Sequence, residues 1–304
     1  MGAASFDPLV DALRERGIPA TVVPMAAYDW LPVVGGRSVR PILERIDHAV
    51  RHAAATGLCA SDVEGGGTAP RLVVPRPRLS LGDRYADFQK TPGGVLKVGG
   101  ATDPSAFPTI QPSGTFPPPP AAPQGRVALI GHSAAGWISR LYLSSRDYGG
   151  RAYRGAELVH SLVTLGSPHG ASEGAAFENV AWLRQIEDPN EDLARRVRML
   201  AVGGTGYLGS EWGTFTRNSY AFCVPGGAEE AELLSGDGVT PLRSALDLPG
   251  AETLVIEDVS HAPGYPSVAA PELSRDYEER RRWYGSPDAL DQWLGWLTKE
   301  SRDA

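Results

Sequence analysis

Cysteine is scarce in this chain: its 304 residues include two, Cys59 and Cys223. They form no C-x-x-C pair and no zinc-ligand spacing, so a disulfide framework or a structural metal site is not what organises the fold. Positive charge is also in short supply. Lys and Arg number 29 against 36 Asp and Glu, a net charge of -7, and no basic cluster offers the phosphate neutralisation that nucleic-acid binding needs. The one dense charge run, Glu278-Glu279-Arg280-Arg281-Arg282, is mixed in sign and reads as solvated surface. No apolar stretch approaches the ~18 residues of a bilayer span. Met1–Asp7 has neither a basic n-region nor an apolar h-region. A soluble chain is expected, cytoplasmic or, with a lost transit segment, plastid.

Proline and glycine are abundant but unevenly spread. Twelve of the 26 prolines fall within residues 57–124, together with Gly65-Gly66-Gly67, Gly93-Gly94 and Pro117-Pro118-Pro119-Pro120. Such a stretch lacks ladder donors and apolar periodicity and reads as an extended or disordered insertion. It separates an N-terminal part, 1–56, from the remainder, 125–304. Without it the chain has a normal length for one α/β domain, and 42% hydrophobic content is ample for its core.

Outside the insertion, strand and helix signals alternate. Asp7 and Pro8 predict a helix start with Leu9, Ala12 and Leu13 on one face and Gly17 as its stop. Ala20–Val23 predicts a short strand, and Ile42, Ile46, Ala49 and Val50 mark a second helix. Later strands are expected at Val127–Ile130, Leu158–Leu165, Ser219–Val224 and Thr253–Glu257. A helical cap is expected over about 171–212. Ser286 and Pro287 open a final helix carrying Leu290, Trp293, Leu294 and Leu297. The fold class is therefore α/β, a mostly parallel central sheet with helices on both faces.

The run Val127-Ala128-Leu129-Ile130-Gly131-His132-Ser133-Ala134-Ala135-Gly136 is the sharpest motif: an apolar strand, a small-x-Ser-x-small turn, then Trp137, Ile138, Leu141 and Tyr142 at helical spacing. It reads as a nucleophile elbow, with Ala135 where the usual pattern has glycine. A serine hydroxyl reacts only when a base takes its proton, and the base needs an acid that orients it. His48 and His52 fall on an early helix, His160 inside a strand, and His169 in a turn where a structural hydrogen bond suffices. His132 adjoins the serine with its ring directed away from it. His261, late in the chain and just after a strand, is the expected base. Asp237, in Ser235-Gly236-Asp237-Gly238-Val239-Thr240-Pro241, is the expected acid, because flanking glycines allow a sharp turn; Asp258 is the alternative.

Leu129–Trp137, Thr164-Leu165-Gly166-Ser167-Pro168-His169, Gly236–Pro241 and Arg282-Trp283-Tyr284-Gly285-Ser286 together resemble the α/β-hydrolase superfamily. More narrowly, they resemble plant, algal and cyanobacterial lipase-like proteins related to the hydrolase domain of GPI inositol-deacylases, over roughly residues 6–56 and 125–300. The resemblance implies ester hydrolysis, with lipid acyl esters as the expected substrates, and carries the triad to Ser133, Asp237 and His261. Ala134 N–H is the oxyanion donor, and His132 and Trp137 are assigned to the substrate site. No cofactor or metal is expected; the partner is a small-molecule or lipid ester, with peripheral membrane contact in the lipid case. Members of this group usually open with a strand of the type Pro-x-Val-x-x-Pro-Gly whose loop donates the second oxyanion N–H. That strand has no counterpart here, and losing one donor costs about 10²–10³ in rate. The alternative expectation is therefore a catalytically impaired or silent hydrolase-fold binding protein.

Overall fold

The computed structural model describes residues 3–25, 27–30, 33, 38–56, 125–170, 177–186 and 193–298. The stretch 57–124 expected to be an insertion lies outside the described residues. In chain order the elements are α1 (Asp7–Glu15), α2 (Arg40–Thr56), β1 (Val127–His132), α3 (Ala134–Leu143), β2 (Val159–Leu165), α4 (Glu178–Ile186), α5 (Leu193–Arg196) and β3 (Arg198–Gly204). They continue with β4 (Tyr207–Leu208), α6 (Gly213–Ala221), α7 (Gly227–Glu232), β5 (Ser235–Gly236), α8 (Leu242–Leu246), β6 (Glu252–Ile256), α9 (Pro271–Arg280), α10 (Pro287–Trp293) and α11 (Gly295–Thr298). Two units share these elements: residues 1–127, 141–159 and 174–187 in one, and 128–140, 160–173 and 188–304 in the other.

In the first unit α1 buries Leu9, Val10 and Leu13. It stops where expected: Gly17 adopts φ +74, and its N–H and that of Ile18 return to the carbonyls of Arg14 (2.8 Å) and Leu13 (3.0 Å). On α2, Ile42, Ile46, Ala49 and Val50 are all buried. Buried beside them, Glu44 and Asp47 are both paired with Arg151. Tyr153 O–H also donates to Glu44 (3.0 Å) and Arg51 to Asp47 (2.8 Å), so neither carboxylate is left with a single partner.

The strand expected at Ala20–Val23 is irregular chain instead. Pro19 and Pro24 flank it without N–H donors, and Arg14 holds the Ala20 carbonyl at 3.0 Å.

The second unit is built on a four-stranded sheet of order β1-β2-β3-β6. β2 and β3 pair in parallel with Leu165 opposite Val202, and β3 and β6 in parallel with Gly204 opposite Ile256. The fold is thus α/β with a mostly parallel sheet, and spatial order follows chain order. β2 and β3 are buried almost throughout, as strands inside a parallel sheet are, and most of their residues are apolar or glycine. Gly203 lets α8 lie close to β3: a Cβ there would come within 2.7 Å of Leu242 Cδ1.

Two further segments depart from expectation. The stretch 171–212 does hold short helices, α4 and α5, but Arg198–Gly204 within it is the sheet strand β3. Ser219–Val224 is not a strand; it completes α6 and the turn after it. Thr216, Tyr220, Cys223 and Val224 are its buried residues. That i, i+4, i+7, i+8 spacing is helical, and a six-residue apolar window was too short to reveal it. At the C-terminal end, Ser286 does stand at the N-cap of α10, yet its hydroxyl donates to Trp283 O (2.7 Å) and accepts no helix N–H.

At the β1–α3 turn the small residues are sterically required. A Cβ on Gly131 would meet Gly136 Cα at 2.7 Å, and one on Gly136 would meet Ser167 Oγ at 2.0 Å and Cβ at 2.4 Å. Ser167 cannot swing aside freely, because its hydroxyl donates to Gly131 O at 3.2 Å. Gly136→Ala is therefore expected to lower stability by about 1–3 kcal/mol or more in urea unfolding. An unchanged midpoint would mean that helix and strand separate at no cost.

Candidate active site

Ser133 sits between the last residue of β1 and the first of α3, at φ +55. That left-handed conformation is uncommon for a side-chain-bearing residue and is a named form of local strain. The strain is imposed by the turn: the Ser133 N–H continues the sheet ladder onto Leu165 O (3.0 Å), while the next residue already begins the helix. Gly136 N–H then returns to Ser133 O at 3.0 Å. As the first helical residue, Ala134 has an N–H with no acceptor inside its own helix. The strand-turn-helix context expected around Ser133 is present.

Asp237 and His261 are joined. The imidazole Nδ1 lies 2.8 Å from Asp237 Oδ2 and, facing an acceptor-only carboxylate, is the donor. The backbone repeats the link, since His261 N–H donates to Asp237 O at 2.9 Å. Asp237 has no exposure to solvent and His261 has 4%. The carboxylate occupies a tight turn between β5 and α8. Its Oδ1 accepts the N–H groups of Val239 (3.0 Å) and Thr240 (2.7 Å), Asp237 N–H meets Thr240 O (3.2 Å), and Gly238 takes φ +95. Glycine-flanked Asp237 forms the sharp turn its sequence promised.

Asp258, the alternative acid, lies on the exposed turn after β6 at φ +52. It is Asp237 that stands behind the imidazole.

Burial by itself would raise the Asp237 pKa. The His261 charge, the imidazole hydrogen bond and the two backbone donors oppose it, and the carboxyl is held below its ordinary value.

His132 packs against His261. Its ring lies 4.7 Å from that of His261, and Nε2 is 2.7 Å from His261 O, to which it donates. Burial and the neighbouring His261 lower its pKa to about 3, so it is a neutral brace. Trp137, the other residue assigned to the substrate site, is buried on α3 with 2% exposure. His169 has the structural role expected of it: Arg140 donates to Nδ1 (3.1 Å), Nε2 meets Thr164 Oγ1 (3.1 Å), and its N–H meets Ser244 O (2.9 Å).

Residues without an expected role complete the site. Tyr284 O–H donates to Asp237 Oδ2 at 2.7 Å. Gly166, at φ +55 after β2, leaves the space the pair occupies: a Cβ there would fall 2.4 Å from Asp237 Oδ2 and 3.0 Å from His261 Nδ1. Both lie in segments that carried the family resemblance, Thr164–His169 and Arg282–Ser286, yet neither is a nucleophile, base or acid that a motif would single out. Among the described residues no group of three or more His, Cys, Asp or Glu is placed to hold a metal ion. No described helix is long and apolar enough to cross a membrane.

Compared with protein-family models, with curated proteins and with solved structures, the chain finds no match in any of the three.

Because the folded Asp237 pKa is depressed, its ionisation adds stability above the ordinary carboxylate value of about 3.9. That contribution is lost as pH falls through the folded value. Urea unfolding of wild type and Asp237→Asn from about pH 6 to about pH 2 is expected to show a gap that closes on the acid side. A gap of constant size would exclude Asp237 as the titrating group.

Proposed function

We propose that this chain is a serine ester hydrolase that cleaves carboxylic esters, with lipid acyl esters as its substrate class. The observation that carries the reading is one of assembly. A serine at a strained strand–helix turn belongs to the same unit as a buried carboxylate–imidazole pair, and these are the three groups that acyl transfer requires.

In this mechanism Ser133 Oγ bonds to the acyl carbon while its proton passes to His261 Nε2, the nitrogen not engaged by Asp237. The carbonyl electron pair moves onto oxygen, facing the Ala134 N–H. Collapse breaks the bond to the alcohol oxygen, which takes the proton from Nε2 and departs. Water then repeats the sequence on the acyl-serine: its proton goes to Nε2, its oxygen bonds to the acyl carbon, and collapse returns the proton to Ser133 Oγ with release of the acid. Asp237 stays ionised throughout, holding the ring tautomer and offsetting the imidazolium charge. The depressed pKa of its carboxyl suits that task. His132 enters as support for His261, not as an acid or base, because it is neutral across the working pH range.

A fluorophosphonate probe is expected to label the wild-type chain and not Ser133→Ala; equal labelling of both would remove Ser133 from the mechanism. On short p-nitrophenyl esters, Asp237→Asn is expected to lower kcat by about 10⁴-fold. Asp258→Asn should stay near wild type, since asparagine tolerates the left-handed turn. A folded wild-type chain inert to both probe and esters would instead make this a binding protein on a hydrolase-like scaffold.

A further inference from the structure

Tyr284 touches the pair at its most sensitive atom. Asp237 Oδ1 is filled by the N–H groups of Val239 and Thr240, whereas Oδ2 accepts both the imidazole Nδ1–H (2.8 Å) and the Tyr284 O–H (2.7 Å). Two donors therefore divide one oxygen. Tyr284 is fully buried, so water offers its hydroxyl no alternative. Its backbone is pinned by Trp293 Nε1–H on Tyr284 O (3.0 Å). Its ring lies where glycines leave room: a Cβ on Gly166 would come within 2.9 Å of Cε2, and one on Gly204 within 3.0 Å of the hydroxyl.

The segment that carries Tyr284 is also laced to the one that carries His261. Ser260 and Trp283 form a parallel bridge, and Ser260 N–H donates to Arg282 O at 3.1 Å. Trp283 in turn meets His132 edge-on, with ring centroids 6.3 Å apart.

We propose that Tyr284 is a positioning residue of this site, whose hydroxyl, by sharing Asp237 Oδ2 with the imidazole, fixes the carboxylate and moderates its hold on protonated His261. The inference rests on the serine-hydrolase reading above. A hydrogen bond to an ionised carboxylate draws electron density from the accepting oxygen and weakens it toward its other donor. The imidazolium then surrenders its proton to the leaving alcohol more readily. Without the phenol, Asp237 grips the imidazolium harder, and the neutral base is lost at higher pH.

The surrounding groups leave this effect readable. Burial and the Asp237 charge push the phenols of Tyr284, Tyr220 and Tyr265 up and the Cys223 thiol to about 12. His132, facing His261, is neutral. Farther out, Arg280 and Asp276 are paired at 2.6 Å, and Asp258 lies on the exposed turn.

The test compares the pH profile of kcat/KM for three full-length forms: wild type, Tyr284→Phe, and a form with 3-fluorotyrosine at position 284, whose more acidic phenol is the stronger donor. Fluorophosphonate labelling of each form runs alongside. The acid limb is expected to move to higher pH in Tyr284→Phe, by about half a unit or more, and to lower pH in the fluorinated form. If wild type is labelled and neither limb moves, the inference is overturned while the hydrolase reading stands. If wild type is neither labelled nor active, both fall. Should circular dichroism show Tyr284→Phe unfolded, the fluorinated form, which keeps shape and hydroxyl, decides alone.

Discussion

A carboxylate with no access to water must find donors, and the architecture of the second unit follows from the need of Asp237 for four of them. An unpaired ion at that depth would cost several kcal/mol. The glycine-flanked turn supplies two backbone N–H groups, the chain after β6 supplies the imidazole, and the chain after α9 supplies the phenol. Three segments far apart in sequence are thereby drawn to one atom pair. The glycines that end β2 and β3, Gly166 and Gly204, are small because this cluster stands directly against them.

The same constraint orders the parts in space. The first carboxyl oxygen is spent on its own turn, which fixes where the second one points. The second oxygen fixes the ring through Nδ1, and the backbone bond from His261 to Asp237 O keeps the two segments in register. His132 then braces the ring from β1, the strand that also presents Ser133. The strand that ends beside Ser133 and the loop that carries His261 are thus linked by a neutral side chain that adds no competing charge.

Much of this was legible in the sequence because it rests on local chemistry. The β1–α3 elbow is written in Gly131, Ser133 and Gly136, where tight backbone approach leaves little choice of residue. Asp237 announced itself by the glycines around it, and His261 by following a strand late in the chain. Less visible was whatever depends on partners distant in sequence. Arg198–Gly204 is apolar, but only pairing with β2 and β6 makes it a strand. Ser219–Val224 is apolar too, and its packing makes it helix. Ala20–Val23 has strand residues yet is held by prolines and an arginine. The bonds of Tyr284 to Asp237 and of His132 to His261 were hidden for the same reason, since a hydrogen bond across more than forty residues leaves no local pattern.

The bond from Ser133 N–H to Leu165 O carries a consequence for how this site ages and fails. A reactive residue on an ordinary loop can wander while the domain stays intact, because loops open with little free energy. Here the backbone of Ser133 is a rung of the four-stranded sheet. Its hydrogen exchange is expected to follow the opening of the β1–β2 pairing. The site and the scaffold therefore share one fate, and a population that has kept its sheet has kept its elbow.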